Sequence, residues 1–250
     1  MNAKQRFSNR VDDYVNYRPD YPHKCAEFVL RTFALDENAV IADVGSGTGK
    51  FSKLFDGRKG RIFGIEPNHE MREASQILLK EQKNFQAIDG DAEATTLGTA
   101  SVDAVVCAQS FHWFDRNKTR AEFSRILKGK APVALVWNRR RDDTPFLREY
   151  EALLRAYAND YAEVTHHDLV EEDFRNFFTN YRIERLPNWQ RFDFPSLCGR
   201  ARSSSYCPLL GEPNHAALLR ELETLFEKYQ ENGVITFEYQ TELYLGWLRS

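Results

Sequence analysis

A doubly wound α/β fold is predicted, with a mostly parallel sheet that ends in antiparallel structure at its C-terminal edge. Three observations predict it. Apolar, β-rich runs alternate with amphipathic helical patterns over the first two-thirds of the chain; a glycine-rich turn follows the first run; and the last third carries strand-like alternation. Strands separated by helices need right-handed crossovers, which place helices on both faces of one sheet. A chain of 250 residues suits a single domain with a sizeable core. We divide it into an N-terminal lid and helix over 1–34, a binding core over 35–140, and helices, a further lid and final strands over 141–250.

The elements follow in order. Apolar residues at helical spacing predict a helix over 22–34, and a strand is expected at 40–44. The glycine turn then opens a helix over 48–56. A strand at 61–65, a helix at 68–80 and a strand at 85–88 complete the next units. Another strand at 102–107, a helix at 116–127 and a strand at 132–137 finish the parallel part. In the last third, LREYEALLRAYANDYA and HAALLRELETLFEKYQ repeat as helices do, whereas YRIERL, NWQRFDF and ITFEYQTELYLGWL alternate as strands. Gly233 marks the start of the last strand. Between these sets, CGRARSSSYCPLLGEP is rich in turn formers and reads as a short helix or a lid.

Composition narrows the function classes. Lys plus Arg is 34 and Asp plus Glu is 37, a formal net charge of -3. That gives no global pull toward nucleic acid or membranes, so a small-molecule partner is favoured. The segment MNAKQRFSNRVDDYVNYRPDYP lacks the apolar stretch of a signal peptide, and no long apolar run occurs, so a cytoplasmic location is expected. Cys25, Cys107, Cys198 and Cys207 show neither CxxC nor metal-ligand spacing; reduced, structural thiols are expected, with a Cys198–Cys207 bridge as the alternative. No metal site and no particular oligomeric state are legible.

Residues 40–51 read VIADVGSGTGKF. Glycines there let the backbone turn sharply and approach a ligand closely. A phosphate loop would need a hydroxyl after Gly49-Lys50, but Phe51 stands there. A dinucleotide fingerprint would need its third glycine where Lys50 stands. An S-adenosylmethionine loop places an acid before GxGxG, as Asp43 precedes Gly45, Ser46, Gly47, Thr48 and Gly49. A carboxylate there repels a pyrophosphate and suits the cationic methionine end. Glu66, about 20 residues on, ends the next strand, where it can accept from ribose hydroxyls. Asp91 in GDAEAT follows the third strand and can accept from an adenine amine while the Ala92 amide meets a ring nitrogen. Each acid alone would also serve as a cap or turn residue. Their placement at successive strand ends favours a ligand site.

DVGSGTGKFS, GIEPNHEM, GDAEAT, AQSFHWFD and PVALVWN, in this order, resemble the class I S-adenosylmethionine-dependent methyltransferases, whose sheet is Rossmann-like. YVNYRPDYP and AQSFHWFD resemble the small-molecule branch that includes trans-aconitate methyltransferases. The likeness to the common core covers residues 35–140. It implies S-adenosyl-L-methionine as cofactor and a small-molecule methyl acceptor as partner. It further implies that Asp43, Gly45, Ser46 and Gly47 hold the methionine end, Glu66 the ribose, Pro67 and Met71 the adenine surround, and Asp91 with Ala92 the adenine edge. Gln109 and Ser110 would then lie near the sulfonium.

The substrate side is read from fewer signals. The aromatics of Gln109-Ser110-Phe111-His112-Trp113-Phe114 can wall a pocket or pack under the next helix. His112 is the candidate base for a hydroxyl or amine acceptor, with a structural histidine as the bland alternative. Tyr14, Tyr17, Arg18, Pro19 and Tyr21 form a stiff segment that would fold across the cofactor, with Arg18 pairing a carboxylate. Trp137, Asn138 and Arg139, Arg140 and Arg141 end the fifth strand, and arginines suit an anionic substrate. Tyr14, Arg18, Trp113, Trp137 and Arg139 are therefore the candidate substrate residues. The run of arginines would equally be a charge run balanced by Asp142 and Asp143, and Arg200 and Arg202 would add to the site or be solvated.

Overall fold

The computed structural model describes residues 10–129, 132–159, 161 and 170–249. Seven strands form one sheet: β1 Ile41–Val44, β2 Ile62–Ile65, β3 Phe85–Ile88, β4 Ala104–Ala108, β5 Pro132–Arg140, β6 Phe178–Phe192 and β7 Ile235–Leu248. Their order is β3-β2-β1-β4-β5-β7-β6. The first five are parallel, and β7 runs antiparallel between β5 and β6. The order reverses between β1 and β4, so a crevice opens there at the carboxyl ends of the strands.

Eight helices accompany the sheet among the described residues: α1 Val11–Tyr17, α2 Lys24–Thr32, α3 His69–Leu78, α4 Arg116–Ile126, α5 Pro145–Tyr157, α6 Glu171–Phe177, α7 Phe194–Arg202 and α8 His215–Tyr229. Their starts have local causes. Asn68 accepts from the Met71 amide, Asp115 from those of Asn117 and Lys118, and Asp193 from that of Ser196. Each cap satisfies a first-turn donor that the helix itself leaves open.

Alternation in the central strands splits the core into two layers. Val105, Cys107, Val133, Leu135 and Trp137 join Phe123 and Ile126 on one face. Val106, Ala134 and Val136 join Cys25, Val29, Phe51 and Phe55 on the other. Strands covered on both sides are apolar throughout, which is why β4 reads AVVCA. A third cluster unites α5, α7 and α8 with Phe237 and Tyr239 of β7.

Several expectations change. The glycine loop is followed by a short 3-10 turn, Ser52–Phe55, and the helix expected over 48–56 is absent. YRIERL and NWQRFDF are one 15-residue strand. Pro187 lies between them, and β6 is an edge strand, where a missing ladder donor is tolerated. The helix expected over 147–162 is α5, with residues 160 and 162 outside those described. Strand 102–107 begins at Ala104, Val102 making an isolated bridge to Leu127. CGRARSSSYCPLLGEP begins inside α7. The four cysteines are buried free thiols, and burial pushes Cys25 up to about 12 and Cys207 up to about 11. Among the described residues, no helix is long and apolar enough to cross a membrane.

Candidate active site

The glycine loop leaves β1 and turns at once. Gly45 has φ +69°, and a Cβ there would lie 2.5 Å from that of Ser110. A side chain is excluded by both conformation and space. Ser110 fixes this approach from the other strand, its hydroxyl donating to the Val44 carbonyl at 2.8 Å. Below the loop, Asp43 is fully buried and its Oδ2 accepts from the Ser52 hydroxyl at 2.7 Å. Burial pushes its carboxyl up to about 7, against the Ser52 hydrogen bonds that favour ionisation. Asp43 Oδ1, Ser46 Oγ and Thr48 Oγ1 are buried without a hydrogen-bond partner among the described residues. Unmet polar atoms of this kind are costly, and a polar ligand over the loop would satisfy them.

Glu66 ends β2 facing the loop. Its two oxygens accept from the Gly47 and Asn68 amides, each at 2.9 Å. Burial raises its pKa, and those two amides act against the rise. Asp91 follows β3, and its Oδ1 closes a turn by accepting from the Ala94 amide at 2.9 Å. Glu122 of α4 braces that turn from behind by accepting from the Thr95 amide and hydroxyl. Gln109, at the end of β4, has a left-handed backbone, φ +58°, and its side chain accepts from the Asn138 amide at 2.9 Å. Non-glycine residues held so are strained and cluster at functional sites.

These groups line one cavity of about 580 Å³ at the sheet's switch point, within the range usual for ligand sites, ~300–1,000 Å³. Tyr14, Arg18, Gly45, Ser46, Gly47, Glu66, Pro67 and Met71 all line it. So do Asp91, Ala92, Gln109, Ser110, His112, Trp113, Trp137 and Arg139. Asp43 does not; it lies buried behind the loop. Phe111 is core, packed at 4.6 Å on Phe177, while His112, Trp113 and Phe114 face the cavity. Tyr14 arches over the loop, 3.9 Å from where a Gly47 Cβ would stand.

The comparisons point the same way as this geometry. Residues 42–135 match the family model described as a methyltransferase domain. A methyltransferase-like protein of Schizosaccharomyces pombe is 34% identical over 155 residues, 62% of this chain and 59% of that protein. An uncharacterized methyltransferase of Mycobacterium bovis is 32% identical over 143 residues, 57% of this chain and 56% of that protein. The matched stretches thus span less than two-thirds of these curated relatives. In fold, the chain is similar to a proposed type II methyltransferase from Anaeromyxobacter dehalogenans, with TM-score 0.64 and 21% identity over 93% of this chain and 98% of that one. It is also similar to the YcgJ protein of Bacillus subtilis, with TM-score 0.56 and 18% identity over 92% of this chain and 100% of that one. Residues 42–135 thus resemble a methyltransferase domain in sequence, and the two structural likenesses are of fold.

Arginines also line the cavity, and the carboxylates of Asp142 and Glu151 line it with them. Arg139, Arg140 and Arg155 line it, yet each meets a carboxylate: Arg139 with Glu242 at 2.7 Å, Arg140 with Glu151, and Arg155 also with Glu151 at 2.8 Å. Arg141 pairs with Asp143 and does not line the cavity. Arg202 turns away to Asp13 at 3.0 Å. Arg200 instead lines the cavity, 3% exposed, with Tyr206 and Tyr239 beside it on the lining. The tyrosines escaped the sequence reading. The alternation of Ile235, Phe237 and Tyr239 in β7, all buried, was the available signal. Arg10 also escaped it: its guanidinium donates to the carbonyls of Arg202, Ser204 and Cys207 at 2.7–2.8 Å, tying the N-terminal segment to the turn after α7. Among the described residues, no group of three or more His, Cys, Asp or Glu is placed to hold a metal.

Proposed function

We propose that the protein is an S-adenosylmethionine-dependent methyltransferase that moves a methyl group by direct displacement to a small, anionic acceptor. The observation that carries this reading is the polarity of this cavity. Unmet polar atoms and carboxylates surround the glycine loop, and arginines and tyrosines line the other end. The loop residues fit the cofactor: Ser46 and Thr48 offer hydroxyls, Glu66 a carboxylate for the ribose, and Asp91 with Ala92 the adenine edge. Asp43, from behind the loop, supplies negative charge toward the cofactor's ammonium group.

When bound, the cofactor supplies an activated methyl group whose departure from sulfur leaves a neutral thioether. The chain's own task is alignment and exclusion of water. Trp113, Phe114 and Trp137 wall the space beside the loop, and Tyr14 and Arg18 cover it. Where the acceptor atom is an ionised carboxylate oxygen, no base is needed and His112 orients the substrate. Where it is a phenol or amine, His112 takes the proton as the new bond forms.

The narrower likeness to trans-aconitate methyltransferases rests on YVNYRPDYP and AQSFHWFD alone. The net charge of -3 favours a diffusible acceptor over nucleic acid, and we place its action in the cytoplasm. The decisive experiment is calorimetric titration with S-adenosylmethionine, S-adenosylhomocysteine, NAD and NADP, beside an Asp91→Ala variant. Binding of the sulfur nucleosides alone, weakened in the variant, is expected. Binding of the dinucleotides alone would overturn the reading in favour of hydride chemistry. Binding of the sulfur nucleosides with no transfer of labelled methyl to any acceptor would leave a nonenzymatic binding module.

A further inference from the structure

We infer that Arg200 anchors an oxyanion of the acceptor, a carboxylate or a phosphate, with Arg18 left for the carboxylate of the cofactor. The inference rests on the methyltransferase reading for the word acceptor, but its physical basis is independent of it. Arg200 lies on α7, and its guanidinium lies over the rings of Phe237 and Tyr239, 5.4 and 5.9 Å from their centroids. Its Nε donates to the Tyr239 hydroxyl and its Nη1 to the Ser204 hydroxyl, both at 2.9 Å. Arg18 donates from Nε and Nη2 to the Ser203 carbonyl at 3.3 and 3.1 Å. Neither arginine meets a carboxylate among the described residues, unlike Arg139, Arg140 and Arg155 on the same wall.

A buried charge is ordinarily kept only where it is paired. Here Arg200 is buried and Arg18 half-buried, and neither has a carboxylate counter-ion among the described residues. Burial, then the charge of Arg200, lowers the pKa of Arg18. The partners these guanidinium groups do have are neutral hydroxyls, a carbonyl and aromatic faces, which orient them without neutralising them. Nη2 of Arg200 and Nη1 of Arg18 donate to no protein group among the described residues. A guanidinium held flat with one nitrogen left without a partner is suited to a charge-assisted hydrogen bond to an oxyanion. The bound cofactor brings a carboxylate of its own, which Arg18, beside Tyr14 at 5.5 Å from its ring centroid, is placed to meet. That leaves Arg200 for the acceptor and makes it a specificity-determining residue.

The test is titration of the protein loaded with S-adenosylhomocysteine, using acetate, succinate, benzoate, citrate and inorganic phosphate, each organic anion beside its neutral amide. At least one anion should bind, and its amide should bind at least about tenfold more weakly. Arg200→Lys keeps the charge but loses the planar guanidinium. It should weaken that anion about tenfold or more while S-adenosylhomocysteine affinity changes less than about twofold. Tyr239→Phe removes only the hydroxyl that orients Arg200 and should weaken the same anion by a smaller factor, about threefold. A carboxylate binding above phosphate names one source of the oxyanion, and the reverse order names the other. The inference is overturned if no anion exceeds its amide, if Arg200→Lys leaves anion affinity unchanged, or if that variant weakens S-adenosylhomocysteine as much as the anion. Wild-type protein that fails to bind S-adenosylhomocysteine sinks the methyltransferase reading instead. The anion and amide comparison on the unloaded protein still decides the role of Arg200.

Discussion

The two ends of the cavity are built by different means. At the glycine-loop end the carboxylates are tethered within the loop and the turns that adjoin it: Asp43 by the Ser52 hydroxyl, Glu66 by the Gly47 and Asn68 amides, and Asp91 by its own turn. At the other end the charged groups come from α5, α7, β5 and the segment after α1, and the partners of Arg139, Arg140, Arg155 and Arg200 there are side chains. Glu66 and Asp91 at the first end are held by backbone donors, and backbone donors cannot be mutated away. The second depends on side chains that are free to vary, so the first end suits an invariant ligand and the second a particular one.

The largest test of that contrast is Glu66→Ala. The change would leave the Gly47 and Asn68 amides without their acceptor and remove the ribose contact. Loss of two charge-assisted contacts predicts a drop in S-adenosylhomocysteine affinity of about 100-fold or more, ~3 kcal/mol. Calorimetry reads it directly. A change below about threefold would show that the loop end is not organised around this carboxylate.

The next effect falls on stability. Glu122 accepts from the Thr95 amide and hydroxyl and from Arg125 at 2.7–2.8 Å. The hydrogen-bonded Arg125 guanidinium holds its carboxyl down at about 2. A folded pKa below the unfolded one contributes stability that is present above the unfolded value, near 4.5, and is lost as pH falls toward 2. Glu122→Ala should therefore cost roughly 2–3 kcal/mol at neutral pH, and its deficit should shrink in acid through that window. Denaturant melts at pH 7 and pH 3 measure both. An equal deficit at the two pH values would show that the brace is packing and not charge.

Legibility in the sequence follows the same division. Gly45, Glu66 and Asp91 were readable because each sits one to three residues past a strand, so local pattern fixed their place at the sheet edge. The parallel strands were readable for a related reason, since burial on both faces makes them uniformly apolar. Position alone did not give pairing. The run Arg139, Arg140 and Arg141 reads as one cationic patch, but its members find Glu242, Glu151 and Asp143, two of them distant in the chain. Arg200 reads equally as a site residue or as a solvated one in a turn-rich stretch, and the packing of α7 with β7 buries it. The 3-10 turn in place of a helix after the glycine loop likewise has no single-residue signal.

A smaller effect concerns the proton on Asp43. Burial raises its pKa to about 7, so while pH rises from about 4 to about 7 the unfolded chain ionises first and this group lowers the stability of the empty protein. A cofactor ammonium near the carboxylate favours the ionised form. Affinity for S-adenosylhomocysteine should therefore rise with pH by up to about tenfold between pH 6 and 7.5 and then level. Asp43→Asn should flatten that rise. A wild-type profile already flat there would mean that Asp43 keeps one protonation state throughout and does not answer the ammonium.

The smallest expected effect is the sharpest check on the arginine-lined end. Arg155 lines the same cavity as Arg200, carries the same charge, and stands on α5, a helix of the same cluster. It differs in two respects: its side chain is 65% exposed, and it is already paired with Glu151 at 2.8 Å. If total positive charge set the affinity for anions, Arg155→Ala and Arg200→Lys would rank by charge removed, and the alanine change would do more. If buried, unpaired guanidinium groups set it, Arg155→Ala should alter anion binding by less than about twofold, because an exposed pair contributes little and water replaces it. Titration of both variants at two salt concentrations separates the cases. A larger loss in Arg155→Ala, growing at low salt, would make the wall a diffuse electrostatic field in which no single arginine is the anchor.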